Sequence, residues 1–285
     1  MPKVPVLHII LFLCTCISTL AAGALQAGAN LIEDPMSIWT GLPFAATLMI
    51  ILLVHEFAHF FASKKHHTLT TLPYFIPAPS FIGTFGAFIK MKSPIVTRAA
   101  LVDIGASGPV AGFLISVAAC IVGLSQSQVI PLQQAQDMIN LGDSLLFSLL
   151  SWLVLGALPS NADILLHPVA FAGWIGLFVT AMNLFPIGQL DGGHIVYALF
   201  GRWHAYVSYV LVGVLAALGT AAFIWGVGWE GWLMWSVLML ILGLEHPPVV
   251  YWEERLDPAR RMLGIFALVV FIITFIPAPF QIPWD

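Results

Sequence analysis

Residues 43–63 read PFAATLMIILLVHEFAHFFAS, an uninterrupted apolar stretch that carries three ionisable side chains near its end. A helix needs about 20 mostly apolar residues to cross the hydrocarbon core of a bilayer. Ionisable side chains inside such a helix are costly, and they usually mark a functional site. This stretch therefore predicts a membrane-spanning helix with a site at His55, Glu56 and His59.

The spacing of these three residues indicates the chemistry of the site. On a helix, positions i and i+4 lie on one face, so His55 and His59 can bind one zinc ion. Glu56 then lies about 100° round the helix, where it can act as a base on water near the ion. His-Glu-x-x-His is the pattern of a zinc hydrolase.

The composition excludes several protein classes. Of the 285 residues only 8% are charged, while 60% are hydrophobic. A soluble domain carries roughly 25% charged residues, so a soluble enzyme is excluded and the apolar residues are expected to face lipid. The net charge of −4 leaves no basic excess for nucleic acid.

The distribution of positive charge predicts how the chain crosses the bilayer. Candidate spans lie at 6–25, 43–63, 100–124, 169–187, 204–226, 230–245 and 262–279, and the apolar stretch 141–158 is ambiguous. If 141–158 does not cross, every Lys and Arg falls on one side, as the positive-inside rule requires of the cytoplasmic face. These residues are Lys3, Lys64, Lys65, Lys90, Lys92, Arg98, Arg202, Arg255, Arg260 and Arg261. If 141–158 crosses, the last four move to the opposite face, so seven spans with a cytoplasmic N-terminus are favoured.

The segment 64–98 does not follow the pattern of a spanning helix. Four prolines interrupt it, and β-branched and aromatic residues surround Gly83 and Gly86. This mixture is typical of short strands that meet at a glycine turn. The fold class predicted is an all-α polytopic membrane protein with about seven transmembrane helices, a small re-entrant β-hairpin and one non-spanning helix.

We expect one integral membrane domain over 1–285, with a catalytic core at about 43–200 and C-terminal helices at about 204–279. An alternative for residues 1–25 is a cleaved signal peptide, because Lys3 precedes the apolar run and small residues follow it. No leader resembling an organelle transit peptide is visible. We therefore expect a bacterial cytoplasmic membrane, with the active site toward the cytoplasmic side.

A catalytic zinc site needs a third protein ligand besides the two histidines. The candidates are Asp103, Asp191, His194, His66 and His67. Asp191 is favoured because it follows a helix that Pro186 and nearby glycines break, at a depth similar to that of His55 and His59. For Asp103 we expect either a partner of the site or ion pairing at a helix end. For His194 we expect a supporting or helix-end role, and at Glu245 and His246 simple termination of a helix.

The motifs HEFAH at 55–59 and NLFPIGQLDGG at 183–193 together resemble the site-2 protease family of intramembrane zinc metalloproteases. The resemblance implies one Zn²⁺ per chain bound by His55, His59 and Asp191, with Glu56 as the catalytic acid and base. It further implies that Asn183 helps to hold the substrate or its reacting carbonyl. Residues Gly83, Thr84, Phe85 and Gly86 resemble the glycine motif of the family's β-hairpin, which suggests a role in holding a substrate strand.

The function predicted is hydrolysis of peptide bonds in or near transmembrane segments, as in regulated intramembrane proteolysis. By resemblance, the substrates are single-span membrane proteins or remnant signal peptides. No segment of the sequence could hold the PDZ domain that many relatives carry. The alternatives are a metal-binding membrane transporter, since intramembrane His and carboxylates also mark ion paths, and a catalytically inactive scaffold.

Overall fold

The structure is a computed structural model that describes residues 5–134 and 140–281. Lys3, one of the positively charged residues from which the topology was predicted, lies outside these residues. Within them the chain is mostly helical, with short strands between the helices. The helices are α1 (Val6–Gln26), α2 (Leu42–Lys65), α3 (Arg98–Leu124), α4 (Leu145–Leu155), α5 (Pro168–Asn183), α6 (Asp191–Phe200), α7 (Trp203–Trp225), α8 (Gly231–Leu242) and α9 (Pro258–Thr274). The strands are β1 (Tyr74–Pro77), β2 (Thr84–Phe88), β3 (Gln128–Pro131), β4 (Asn140–Leu141), β5 (Ala162–Leu165) and β6 (Phe280–Gln281).

Four helical segments among the described residues are long and apolar enough to cross a membrane. They are Val6–Gln26, Pro35–Lys65, Arg98–Leu124 and Trp203–Trp225. The segment Pro35–Lys65 combines a 3₁₀ turn with α2. At 1.5 Å per residue, the 12 residues of α8 cover about 18 Å of a hydrocarbon core about 30 Å thick. The structure confirms a mostly helical protein with helices apolar and long enough to cross a membrane. The number of seven spans stays a prediction.

Several helix boundaries differ from those predicted, each for a local reason. The helix expected at 169–187 ends at Asn183, before the proline and glycines of the next loop. The helix expected at 230–245 ends at Leu242, because Gly243 adopts a φ of 95°. The last helix begins earlier than expected, at Pro258, since the Asp257 side chain caps it by accepting from the Arg260 amide. In the stretch 141–158, helix α4 has 11 residues, about 17 Å, and is too short to cross alone.

Strands β1 and β2 form the predicted hairpin, and two further small sheets were not predicted. Tyr74 pairs with Phe88 and Phe75 with Ala87 in antiparallel register. Strand β3 pairs with β5, and β4 pairs with β6. Each of these strands has only two to four residues, too few for an alternating pattern to stand out from the apolar sequence around them.

The described residues belong to two compact units. The first comprises Met1–Ser93, Ala111–Pro131 and Leu150–Leu177. Here α1 supports the hairpin: the Ser18 hydroxyl donates to the Gly83 carbonyl at 2.6 Å. The rings of Phe12 and Phe75 meet edge to face at 5.2 Å between centroids. The hairpin is thus held from one side by a long apolar helix.

The second unit comprises Pro94–Val110, Leu132–Leu149 and Phe178–Asp285. One hydrophobic cluster in it consists of Leu101, Val102, Ala198, Val249 and Leu256. Its members come from α3, α6 and the segment between α8 and α9, so they tie these elements together. The prediction of a single domain stays a prediction.

Candidate active site

The two histidines of α2 meet in a buried position. Their exposed fractions are 4% for His55 and 6% for His59, and their Nε2 atoms lie 3.1 Å apart. Two nitrogen ligands at about 2.0–2.1 Å from a tetrahedral zinc ion lie about 3.3 Å from each other. The donor atoms of this pair therefore fit one shared zinc ion, as the i, i+4 spacing predicts.

Glu56 is also buried, with 4% of its surface exposed. A buried carboxylate is costly unless it is paired or hydrogen-bonded, so an ionisable residue at this position of an apolar helix indicates a specific role. Helix α2 therefore carries three buried ionisable residues within five positions, where a purely structural helix would have apolar side chains.

A glycine of α3 makes room for His55. A Cβ atom on Gly112 would lie 3.1 Å from Nδ1 of His55 and 3.3 Å from its Cβ. Such contacts are tighter than ordinary van der Waals packing, so a side chain at this position of α3 would crowd the His55 ring. Ser116 lies one turn further on and donates to the Gly112 carbonyl at 2.8 Å. The sequence analysis did not identify Gly112, because nothing local distinguishes it from other helix glycines.

Asn183 and Asp191 flank an irregular loop, at the last residue of α5 and the first residue of α6. Both side chains are half-buried. The start of α6 packs tightly against this loop: a Cβ atom on Gly192 would lie 1.9 Å from the Leu184 carbonyl oxygen. One on Gly193 would lie 2.4 Å from the Gly188 carbonyl oxygen. The two glycines after Asp191 thus allow the first turn of α6 to pack against the end of α5.

The loop is also held by residues far away in the sequence. The Ser208 hydroxyl, on α7, accepts from the Gly188 amide at 3.2 Å. A Cβ atom on Gly188 would lie 2.3 Å from the Gly243 carbonyl oxygen, and Gly188 itself has a φ of +54°. Gly188 is therefore required both by its backbone conformation and by the closeness of the segment after α8.

The four hairpin residues singled out in the sequence form the turn and the start of β2. Gly83 has a φ of +79°, which favours glycine. The Thr84 hydroxyl is buried and donates to the Ile76 carbonyl at 2.7 Å, so it holds the hairpin together. Phe85 has the opposite character, with 76% of its surface exposed. Gly86 follows with a φ of +96°.

The other ionisable candidates have different surroundings. The Asp103 carboxylate binds the Arg260 guanidinium through two hydrogen bonds of 2.9 and 2.8 Å. The pKa of Arg260 is raised above its usual range, mainly because the carboxylates of Asp103 and Asp257 both accept hydrogen bonds from its guanidinium. Nδ1 of His194 lies 2.7 Å from Nε2 of His246. His246, for which helix termination was expected, thus contacts the helix that begins with Asp191.

His66 and His67 lie in the turn that ends α2. His66 is the C-terminal cap residue of the helix. His67 has a φ of 54°, an uncommon conformation for a residue other than glycine. Both candidates therefore lie just beyond the last residue of α2.

The comparison with protein families gives a clear assignment. The model of "Peptidase family M50" matches residues 43–225, more than half of the chain. The chain belongs to this family. The matched range contains both motifs, and it confirms the resemblance to site-2 proteases and the prediction of a metallopeptidase at the level of the family.

Relatives of this M50 chain include plant proteins named as zinc metalloproteases. "Probable zinc metalloprotease EGY1, chloroplastic" of Arabidopsis thaliana is 34% identical over 254 residues, which are 86% of this chain and 43% of the relative. "Probable zinc metalloprotease EGY2, chloroplastic" of the same plant is 29% identical over 84% of this chain and 42% of its own length. EGY1 of Oryza sativa subsp. japonica is 30% identical over 86% of this chain and 41% of its own length. The comparison with solved structures found no match.

The M50 chain spans less than half the length of these curated relatives. Their names support zinc as the metal, in agreement with the donor atoms of the histidine pair. Because these relatives are named as chloroplastic, the expectation of a bacterial cytoplasmic membrane gains no support from them.

Proposed function

We propose that this chain is a zinc-dependent intramembrane endopeptidase that hydrolyses peptide bonds in or near the transmembrane segments of single-span membrane proteins. The observation that carries the proposal is the buried His55–His59 pair of α2, with its two Nε2 atoms 3.1 Å apart in an apolar helix. Membership of family M50 supports it.

The proposed ligands are His55, His59 and Asp191, each of which offers one ligand atom. Two imidazole nitrogens and one carboxylate oxygen are the donor set of a catalytic zinc site, which keeps one position open. Zinc bound there supplies Lewis acidity, which polarises a carbonyl and lowers the pKa of water. The nearby protein groups then carry out the remaining steps.

Glu56 is proposed as the general base, which takes a proton from the attacking water and passes it to the leaving amine. Its position next to His55 places the carboxylate on the same part of α2 as the imidazoles. Asn183 is proposed to hold the substrate carbonyl with its side-chain amide, a role that the resemblance to the family suggests. A half-buried amide at a helix end is a suitable donor for this purpose.

The β1–β2 hairpin is proposed to hold the substrate in an extended form. A helical substrate hides its amides in i→i−4 bonds, so it has to unwind before hydrolysis. A two-stranded sheet has free edges that can pair with an extended peptide. To test this, Phe85→Pro is compared with Phe85→Ala, which removes the same ring but keeps the amide. Equal cleavage by the two variants contradicts strand addition at this position.

The function itself is tested with the purified chain in nanodiscs and a tagged single-span substrate. We expect the wild type to bind one zinc ion and to cleave, and Asp191→Ala to lose both zinc and cleavage. Zinc content and product are measured on the same samples. Zinc bound by the wild type without cleavage of any substrate would favour a transporter or an inactive scaffold.

A further inference from the structure

A chain of hydrogen bonds links the loop after α8 to the first turn of α6. Nδ1 of His246 lies 2.7 Å from the carbonyl oxygen of its neighbour Pro247. Nε2 of the same ring lies 2.7 Å from Nδ1 of His194. His194 is three residues from Asp191 on α6, so the chain reaches the turn that carries the proposed third zinc ligand.

The chemistry of these groups determines where the protons lie. A carbonyl oxygen can only accept a hydrogen bond, so Nδ1 of His246 carries the hydrogen. Burial lowers the pKa of His246, which favours the neutral ring and makes its Nε2 an acceptor. Nδ1 of His194 must then be the donor. In a neutral His194 this leaves the lone pair on Nε2.

His246 is held firmly enough to direct this bond. Its ring stacks on Tyr197 with 4.3 Å between centroids and an interplanar angle of 12°. Tyr197 lies one turn after His194 on the same helix, so His246 packs along the face of α6. Gly243, three residues earlier, contacts Gly188 in the loop before Asp191. The segment 243–247 thus contacts the loop before Asp191 through Gly243 and helix α6 through His246.

Backbone packing also holds the first turn of α6. Its N-cap residue, Leu190, makes no side-chain capping bond, the kind of bond that commonly stabilises the start of a helix. Gly105 of α3 also contacts this turn: a Cβ atom there would lie 2.9 Å from the Asp191 carbonyl oxygen. The turn is therefore positioned by tight backbone packing together with the bond from His194 to His246.

We propose that His246 is a positioning residue for the active site, which holds His194 in the Nδ1–H form and anchors the turn that bears Asp191. The catalytic part of this inference rests on the proposed function, whereas the tautomer of His194 does not. His246 acts through His194 and does not itself touch the substrate.

The test uses the full chain in nanodiscs with ¹⁵N-labelled histidine. Wild type is compared with His246→Ala, with His246→Gln, whose side-chain oxygen can still accept, and with Glu245→Gln as a control on the exposed neighbour. His194 resonances are assigned by their loss in His194→Gln. We expect a pyrrole-type Nδ1 and a pyridine-type Nε2 for His194 in the wild type, His246→Gln and Glu245→Gln. In His246→Ala we expect a shift toward the Nε2–H form.

Cleavage provides the second measurement. Loss of one hydrogen bond that orients a site is expected to lower kcat/KM about tenfold in His246→Ala, with recovery to within about twofold in His246→Gln. Glu245→Gln is expected to behave as the wild type. A proton on Nε2 of His194 in the wild type overturns the proposal without any variant, and so does an unchanged tautomer in His246→Ala. If the wild type cleaves nothing, the proposed function fails while the tautomer result still stands.

Discussion

The histidine pair of α2 and the loop that carries Asp191 are built in opposite ways. On α2, two side chains one turn apart meet at 3.1 Å because a regular helix brings positions i and i+4 together. In the loop that precedes Asp191, contacts between backbone segments combine with contacts from two other parts of the chain, α7 and the segment after α8. Ser208, Gly243 and His246 all contact the loop or the turn that follows it.

This difference implies different sensitivities to mutation. On α2, changing the chemistry of a side chain should alter activity while the helix stays intact. In the loop, adding even one methyl group should alter the structure first. Variants in the two regions can therefore separate chemical from architectural effects.

The largest expected effect comes from Glu56→Gln, which keeps the size of the side chain on α2 but removes its basicity. Because general acid–base catalysis contributes about 10²–10⁴-fold, we expect cleavage to fall roughly 10³-fold with zinc content unchanged. Cleavage of a tagged substrate and metal analysis on one sample measure the two quantities. The exposed Glu33→Gln serves as the control. Substantial cleavage by Glu56→Gln would refute the assignment of the base.

The loop is tested by Gly192→Ala. The added Cβ would lie 1.9 Å from the Leu184 carbonyl oxygen and 2.4 Å from the carbonyl carbon, so the backbone must shift. Overpacking of this kind typically costs about 1–3 kcal/mol, and contact with backbone places this variant at the upper end. Thermal unfolding in detergent should show a lower midpoint together with loss of activity.

Gly213→Ala on α7 is the matched control for this variant. Among the described residues, no atom beyond the adjoining backbone of α7 lies within 4 Å of a Cβ at that position, and alanine is a better helix former by about 1 kcal/mol. We therefore expect an equal or higher midpoint. A Gly192→Ala protein as stable as Gly213→Ala would contradict the tight packing of the loop.

The same contrast explains how much could be predicted from the sequence. Helix α2, its histidine pair and the β1–β2 hairpin were predictable because each depends on neighbours that are close in the sequence, no further apart than Tyr74 and Phe88 of the hairpin. The bond from His194 to His246 joins residues 52 apart, and His246 stands in the sequence as an isolated histidine before two prolines. Strand pairing of β3 with β5 joins Gln128 to Leu165, and no local pattern indicates it. The joint binding of zinc by His55, His59 and Asp191 stays a prediction.

A smaller effect is expected from Gly112→Ala, which adds a methyl group behind His55. Its Cβ would lie 3.1 Å from Nδ1 of the ring, so the imidazole has to move by a few tenths of an ångström. Stability should change little, because the gain in helix propensity offsets the crowding. We expect kcat/KM to fall about tenfold, since small misplacements of catalytic groups are costly. Zinc affinity and cleavage measure the effect, and wild-type values for both would show that α3 does not restrict His55.

The smallest expected effect concerns the ion pair of the second unit. Arg260 binds Asp103 with a planar fork of two bonds, which a lysine cannot reproduce. Their side chains are 30% and 15% exposed, so solvent screening limits the gain, and Arg260→Lys should cost about 0.5–1 kcal/mol. The exposed Arg255→Lys is the control, and unfolding midpoints at low and high salt measure the difference. If Arg260→Lys matches the control at low salt, the fork adds nothing to stability. The second unit would then depend on backbone packing and its apolar cluster, which would sharpen the contrast with the side-chain geometry of α2.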